Sequence, residues 1–172
     1  MGELKQNFAP VVDAETRVLV LGSLPGEASL KAGRYYANPY NAFWRLMGRA
    51  LDQPDFAALP YEDRLARLLE RGVGLWDVVA RAERLGSLDA NIRAVEHSDL
   101  AGLIGRLPRL QAVAFNGGTA AKIGVRQLGR LAARLTVIRL PSSSPAHAGK
   151  PFETKAQEWL ALRPFLAPTR GG

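Results

Sequence analysis

The stretch Arg17-Val-Leu-Val-Leu-Gly22 contains an apolar run, from Val18 to Leu21, that ends at a glycine. A short run of this kind is typical of a buried strand in a parallel sheet. Similar runs occur at Gln111-Ala-Val-Ala-Phe115, at Leu135-Thr-Val-Ile-Arg-Leu140 and at Gly74-Leu-Trp-Asp-Val-Val79. Amphipathic segments lie between these runs. The sequence therefore predicts an α/β fold, in which a parallel sheet has helices on both faces.

Five helices are predicted around these strands. They are expected from Asn41 to Leu51, from Tyr61 to Leu69, from Ser98 to Leu107, from Thr119 onward, and from Pro151 to Phe165. Asn41 and Ser98 are the expected N-caps of two of them, since short polar side chains satisfy the free N–H groups there. Phe43 and Trp44 lie on the apolar face of the first helix, so we interpret them as core residues.

The length of 172 residues fits a single domain with one sizeable core, which we place at about 17–165. The composition of residues 1–12 and 167–172 favours flexible ends. The chain has no cysteine, which excludes disulfides, thiolate zinc sites and thiolate-held iron–sulfur clusters. No apolar run approaches the roughly 20 residues that span a bilayer, and residues 1–10 do not resemble a secretory signal. We expect a cytoplasmic monomer with no membrane contact.

The formal net charge is +7. A basic surface attracts polyanions, because binding releases their counterions, and DNA or RNA is a natural partner for such a chain. A soluble protein that is basic without binding nucleic acid has the same charge, so charge leaves both interpretations open.

Three loops of unusual composition each follow a predicted strand. They span residues 22–41, 115–118 and 141–147. Since the carboxyl ends of parallel strands lie at one edge of a sheet, we expect the three loops to meet there and to form a ligand site. A loop as long as 23–40 in a compact domain is usually functional.

The side chains in these loops suit a nucleobase. The Tyr36 ring can stack on a base, and the amides of Asn38, Asn41 and Asn116 offer both donors and acceptors. The alternative is that the asparagines cap helices and turns, and for Asn116 in isolation that alternative is favoured. His147 is one of two histidines and lies in the third loop, where a functional role competes with a purely structural one.

Five motifs carry a resemblance to a known family. They are Leu21-Gly-Ser-Leu-Pro-Gly26, Tyr35-Tyr-Ala-Asn-Pro-Tyr-Asn-Ala-Phe-Trp44, Gly74-Leu-Trp-Asp77, Phe115-Asn-Gly117 and Leu140-Pro-Ser-Ser-Ser-Pro-Ala146. In this order they resemble the uracil-DNA glycosylase superfamily, and in particular its hypoxanthine-DNA glycosylase branch, which is related to the mismatch-specific uracil glycosylases. The resemblance extends over nearly the whole chain, from about residue 17 to residue 165.

The resemblance implies a three-layer α/β/α sandwich with a central four-stranded parallel sheet. It also implies a monofunctional DNA glycosylase of base-excision repair, which hydrolyses the N-glycosidic bond of a flipped uracil or hypoxanthine without a metal or another cofactor. Two alternatives stay open. The protein could bind damaged or abasic DNA with little turnover, or it could be an enzyme acting on a small nucleotide or nucleoside in the same crevice.

The resemblance also assigns roles to individual residues. Tyr36 resembles the aromatic residue that stacks on the base, and Asn116 resembles the amide that recognises its hydrogen-bonding edge. Asn41 resembles the catalytic asparagine of the hypoxanthine branch. The serines of the third loop resemble the motif that grips backbone phosphate; they are Ser142, Ser143 and Ser144.

Catalysis needs hydrogen-bond donors aimed at the departing base, on which negative charge develops. Asn116 and the backbone amides from Gly22 to Gly26 are candidate donors, Asn38 belongs to the same pocket, and His147 could donate if it reaches the pocket.

One departure from the family pattern concerns the attacking water. Many members have Asp or Asn where this chain has Leu24, and leucine cannot position a water. Asn41, Ser23 or a backbone carbonyl would then hold the water instead. Asp77, Asp89 and Glu27 are acidic candidates for a general base, but we assign none of them a catalytic role and expect Asp77 to cap the next turn.

Overall fold

The centre of the fold is a parallel sheet. The computed structural model describes residues 3–84, 93–147 and 149–169. The sheet strands are β2 (Val18–Gly22), β3 (Val73–Asp77), β6 (Ala112–Asn116) and β7 (Thr136–Leu140). Their order is β3-β2-β6-β7, and all three pairings are parallel. These are the four strands predicted from the sequence, so that prediction is confirmed.

Helices cover both faces of this sheet. They are α1 (Glu27–Ala32), α2 (Phe43–Ala50), α3 (Tyr61–Glu70), α4 (Leu100–Gly105), α5 (Gly118–Leu128) and α6 (Phe152–Trp159). Short 3-10 helices occur at Phe56–Ala58, Gly129–Ala133, Pro145–His147 and Leu160–Phe165. Helices α2, α3 and α6 pack on one face, and α4 and α5 pack on the other. The three-layer sandwich is therefore confirmed.

The side chains of β2 show how one strand builds two cores. Val18 and Val20 belong to the cluster on the α2 side, while Leu19 and Leu21 belong to the cluster on the α5 side. All four are fully buried, and each such side chain contributes about 1.5–3 kcal/mol to folding. Phe43 is also fully buried, which confirms its place in the core. This burial fixes the strand that leads into the longest loop.

A second, antiparallel sheet was not predicted. It consists of β1 (Glu3–Gln6), β4 (Val79–Arg84) and β5 (Arg93–His97), in the order β1-β4-β5. The prediction that residues 1–12 are flexible is wrong for those that the structure describes, because β1 pairs with β4 and Val11 exchanges backbone hydrogen bonds with Leu75. A polar strand such as β1 depends on its neighbour for stability, so its own sequence gives little signal.

Helix boundaries differ from the prediction in three places. Ala42, not Asn41, is the N-cap residue of α2, although the Asn41 side chain accepts a hydrogen bond from the Phe43 N–H. Asp99, not Ser98, caps α4, since its side chain accepts a hydrogen bond from the Gly102 N–H. The Ser98 hydroxyl instead donates to the backbone oxygen of Asp77. The loop predicted at 23–40 also contains α1. No helix in the described ranges is both long enough and apolar enough to cross a bilayer.

Candidate active site

The carboxyl ends of the central strands bring polar residues to one edge of the sheet. Gly22 of β2 is in register with Asp77 of β3, and Asn116 of β6 is in register with Leu140 of β7. A cavity of about 240 Å³ opens at this edge. Its volume lies below the roughly 300–1,000 Å³ of sites for drug-sized ligands, so it suits one small planar group.

The three loops expected to meet there do so. The cavity is lined by almost all of the predicted site residues, namely Gly22, Ser23, Gly26, Tyr36, Asn38, Asn41, Asn116, Ser142, Ser143 and Ser144. His147 lies outside this lining, on the short helix Pro145–His147, and its side chain is exposed. The geometry therefore gathers one group of predicted residues around a single cavity and leaves His147 apart from it.

The first loop is organised around a buried serine. Ser29 is 5% exposed, and its hydroxyl accepts a hydrogen bond from the Ala37 N–H at 3.0 Å. The Tyr35 N–H donates to the Tyr61 hydroxyl at 2.9 Å. Between these two anchors, Tyr36 has a φ of 52°, in the left-handed region that residues with side chains seldom adopt. Such strain persists only where the surroundings hold it in place, and it is frequent at functional sites.

The Tyr36 ring is held from one side. It stacks on Phe43 with ring centroids 3.8 Å apart and an angle of 15° between the planes. The Trp44 indole N–H donates to the backbone oxygen of Tyr36 at 3.1 Å. A base can therefore stack only on the face of Tyr36 opposite Phe43, and that face has a fixed orientation.

The Asn116 side chain is engaged inside the protein. Its Oδ1 accepts from the Ser143 N–H at 2.9 Å, and its Nδ2 donates to Ser143 Oγ at 2.9 Å and to the Tyr36 hydroxyl at 3.3 Å. Both amide protons of Asn116 thus have acceptors. Asn116 joins the second and third loops to the aromatic residue of the first.

Asp77 lines the cavity, although the sequence analysis assigned it no role; Asp89, another acidic candidate, lies outside the described residues. The Asp77 side chain is only 4% exposed, and it lies on the cavity wall. A Cβ atom at position 22 would stand 2.7 Å from Asp77 Oδ1 and 3.1 Å from the Tyr36 hydroxyl, so glycine is required for these groups to converge. The sequence did contain a signal for Asp77, because Asp77 ends a strand as Asn116 does. A role as a turn cap explained an aspartate at that position equally well.

Burial controls the protonation of the neighbouring Tyr35. Desolvation, and to a smaller extent the negative charge of Asp77, raise the pKa of the Tyr35 phenol well above its usual range. The phenol donates to the backbone oxygen of Ala9 at 3.0 Å. Tyr35 is therefore a neutral structural donor and is unsuited to be a general base near neutral pH.

Asn38 and Asn41 each form a local turn. Asn41 Oδ1 accepts from the Phe43 N–H at 2.9 Å, and Asn38 Oδ1 accepts from the Tyr40 N–H at 2.9 Å. In the described part of the chain, neither Nδ2 group has a hydrogen-bond acceptor. Both asparagines are thus turn residues, as the alternative interpretation held, and both also leave amide donors at the cavity.

The third loop is linked to the first through its backbone. The Ser143 oxygen accepts from the Ala42 N–H at 2.9 Å. Ser142 Oγ accepts from the Ser144 N–H at 3.1 Å, which makes a compact turn. Lys155 Nζ donates to the His147 backbone oxygen at 2.8 Å. His147 therefore anchors the end of the third loop through its main chain.

Two of the groups considered for holding a water are already engaged. The backbone oxygens of Gly22 and Ser23 accept from Val78 and Val79 at 2.8 and 3.0 Å. Leu24 lines the cavity but packs into the core cluster on the α5 side. Within residues 3–84, 93–147 and 149–169, there is no group of three or more His, Asp or Glu side chains that could hold a metal ion.

Comparison with known proteins gives consistent results. Residues 9–163 match the family model described as the uracil DNA glycosylase superfamily. A hypoxanthine DNA glycosylase from Methanosarcina acetivorans is 37% identical over 159 residues, which is 92% of this chain and 98% of the relative. A hypoxanthine DNA glycosylase from Methanosarcina barkeri is 41% identical over 113 residues, which is 66% of this chain and 71% of the relative.

A solved structure has the same architecture. It is the solution NMR structure of a candidate uracil DNA glycosylase from Methanosarcina acetivorans, with a TM-score of 0.82 and 36% identity. The match covers 95% of this chain and 99% of the other. Fold, motif order and sequence identity agree, and the chain belongs to the uracil DNA glycosylase superfamily, the DNA glycosylases of base-excision repair.

Proposed function

We propose that this protein excises hypoxanthine from DNA, with uracil as a second substrate, after the nucleotide has been extruded into the cavity. The observation that carries the proposal is the buried Asp77 carboxylate on the wall of a cavity that also contains Tyr36. The names of the relatives from Methanosarcina favour hypoxanthine as the base. We place this activity in the cytoplasm and in a monomer.

Asp77 offers a way to recognise deamination. An ionised carboxylate only accepts hydrogen bonds. Deamination of adenine converts the ring nitrogen N1 from an acceptor into an N–H donor, and uracil likewise has an N–H at N3 where cytosine has an acceptor. A carboxylate facing that ring position stabilises the deaminated base and repels the normal one. A site with a buried polar group rejects a base that cannot pair with it far more strongly than an apolar pocket does.

The reaction breaks the bond between the sugar C1′ and the base nitrogen. Water supplies the oxygen that bonds to C1′, one water proton is lost to solvent, and the base leaves with the bonding electrons and takes up a proton. Donors that face the base in this step lower the barrier. The Nδ2 groups of Asn41 and Asn38 suit this role, because their Oδ1 atoms are held by backbone N–H groups and their orientation is thereby fixed.

Asn116 supports the site from behind. Its amide holds Ser143 and the Tyr36 hydroxyl, so we assign it the role of fixing the stacking residue and the third loop. This differs from the role that the family resemblance implies, in which Asn116 recognises the base edge directly.

The test is base selectivity of an Asp77→Asn variant. Single-turnover cleavage is measured on oligonucleotides that contain one hypoxanthine, uracil or adenine. The wild-type protein should cleave the first two and leave adenine intact. In Asp77→Asn, hypoxanthine excision should fall by about 10²-fold, and the preference for hypoxanthine over adenine should narrow because an amide can also donate.

Asp99→Asn is the matched control. Asp99 caps α4 outside the cavity, and asparagine is an equally good N-cap. This variant should keep the wild-type rate. If the wild-type protein binds DNA with an abasic site tightly but releases no base from any oligonucleotide, the proposal is wrong and the alternative of a binding protein with little turnover is correct.

A further inference from the structure

A second cavity adjoins the base cavity. It has a volume of about 410 Å³, and Tyr35, Tyr36, Asn38 and Asn41 line both cavities. Its remaining wall includes Trp44 and Tyr61 together with three arginines, Arg34, Arg45 and Arg64. We refer to this second cavity as the arginine cleft.

The charged side chains that line the arginine cleft are all positive. Its described lining contains three arginines and neither Asp nor Glu. Arg34 and Arg45 are exposed, and Arg64 is half-buried. Among the residues that the structure describes, no carboxylate lies within ion-pair distance of these three guanidinium groups. Three cations on one concave surface repel one another, and a bound anion relieves that repulsion.

Aromatic rings fix where the guanidinium groups lie. Arg64 stands over Trp44 with its Cζ atom 4.4 Å from the ring centre, and Arg34 stands over Tyr61 at 5.3 Å. Stacking of this kind orients the guanidinium plane and leaves the N–H groups at its edge for an oxyanion. An arginine held in this way loses little side-chain entropy when it binds phosphate.

Arg64 has a donor that the protein does not use. Its Nε atom is buried and has no hydrogen-bond partner within the described ranges. Burial, and to a smaller extent the neighbouring Arg34 cation, lower the pKa of the Arg64 guanidinium. A buried donor without an acceptor is unfavourable, so the hydrogen-bonding capacity of the Arg64 guanidinium group is not saturated within the protein.

The cleft is joined to the base cavity by hydrogen bonds. Trp44, on which Arg64 stacks, donates to the backbone of Tyr36, and Tyr61, on which Arg34 stacks, accepts from the backbone of Tyr35. Arg34 and Arg64 are therefore positioned relative to Tyr36 through Tyr61 and Trp44, while Arg45 stacks on Phe152 outside the cleft. An anion in the cleft lies beside whatever occupies the base cavity.

We propose that the arginine cleft binds the phosphodiester backbone of the DNA strand next to the extruded nucleotide. This inference rests on the proposed function in one respect only, namely that the ligand of the protein is DNA. The serines of the third loop, which the family resemblance assigns to phosphate binding, lie on the base cavity and offer hydroxyl and backbone N–H groups. The arginine cleft would supply a second group of phosphate contacts, made by charged guanidinium groups. Arginine suits it because its planar N–H fork matches two phosphate oxygens.

The experiment measures how DNA affinity depends on salt. Binding to a duplex with an uncleavable abasic-site analogue is followed by fluorescence anisotropy between about 50 and 300 mM salt. Each phosphate contact contributes about 0.9 to the slope of log affinity against log salt. The double variant Arg34→Gln/Arg45→Gln changes only exposed side chains, so it should fold, and the magnitude of its slope should fall by about 1–2. Adding Arg64→Gln to this double variant should lower the magnitude of the slope further.

The matched control removes the same charge elsewhere. Arg126 and Arg130 are exposed residues at the end of α5 and just beyond it, and neither of them lines the base cavity or the arginine cleft. Arg126→Gln/Arg130→Gln should keep the wild-type slope. Equal slopes for both double variants, an unchanged slope for the cleft variant, or no DNA binding by the wild-type protein would each overturn the inference. Since no cleavage is measured, the result is independent of which base the enzyme excises.

Discussion

The Asn116 side chain and Ser143 form a closed pair of hydrogen bonds. The Ser143 N–H donates to Asn116 Oδ1, and Asn116 Nδ2 donates to Ser143 Oγ, each at 2.9 Å. Both residues are at least nine-tenths buried, so water cannot easily take the place of either hydrogen-bond partner. This contact fixes the third loop against the end of β6.

Removal of this contact should affect both stability and rate. In Asn116→Ala, the buried Ser143 N–H loses its acceptor, and the free energy of unfolding should fall by about 1–3 kcal/mol. Single-turnover excision of hypoxanthine should fall by at least about 10²-fold, because Tyr36 and the third loop lose their support. Urea unfolding and rapid-quench kinetics check the two effects. Normal excision by a folded Asn116→Ala protein would show that the pair is structural only.

Asn41→Asp separates two roles of one side chain. A carboxylate can still accept from the Phe43 N–H, so the start of α2 and the melting temperature should be preserved. The Nδ2 donor is lost, and the excision rate should fall by about 10²–10³-fold. Asn41→Ala loses both functions and should also melt at a lower temperature. An active Asn41→Asp protein would mean that the donor has no part in catalysis.

Gly22→Ala should displace the Asp77 carboxylate without changing the sheet. The new Cβ would lie 2.7 Å from Asp77 Oδ1, which is closer than such contacts allow, so the carboxylate must move. Excision of hypoxanthine should fall by about 10²-fold. Gly118→Ala is the control, because no atom lies within 4 Å of the Cβ that it would add. If both variants have equal rates, the position of Asp77 does not limit the reaction.

Stability should decrease at high pH through Tyr35. Burial first, and the Asp77 charge second, raise the pKa of this phenol in the folded state above its unfolded value of about 10. The stabilisation is therefore complete below about pH 10 and is lost as the pH rises further, because the unfolded chain releases the proton first. In Tyr35→Phe, the free energy of unfolding should be lower at neutral pH but should decline less steeply above pH 10. Tyr40→Phe changes a side chain that is 78% exposed and should keep the wild-type slope.

The sequence predicted the central sheet because burial leaves a clear pattern. The two central strands, β2 and β6, are buried along their whole length, which requires the continuous apolar runs that begin at Val18 and Ala112. The antiparallel sheet escaped prediction because Glu3–Gln6 is polar and its pairing partner, Val79–Arg84, is distant in sequence. Pairing of this kind depends on tertiary contacts that a local pattern does not contain.

The sequence predicted where the candidate site lies, while the roles of its residues stay predictions. Parallel strand ends must meet at one edge, so the three loops and Tyr36, Asn41 and Asn116 were expected together, and they line one cavity. Roles depend on which atoms face the cavity. The hydrogen bonds of Asn116 turn its amide protons toward the protein, while Asp77, to which no role was assigned, contributes a carboxylate to the wall.

The bond from the Ala42 N–H to the Ser143 oxygen joins the start of α2 to the third loop, and Asn116 joins that loop to Tyr36. Because its walls are connected in this way without bound DNA, we expect the pocket to keep its shape when DNA binds. The work of deformation then falls on the double helix. Bases in weak or mismatched pairs cost less free energy to unstack and extrude. The stability of the base pair should therefore contribute to selectivity, in addition to recognition of the extruded base in the pocket. We expect the enzyme to find its substrates at positions where the duplex opens most easily.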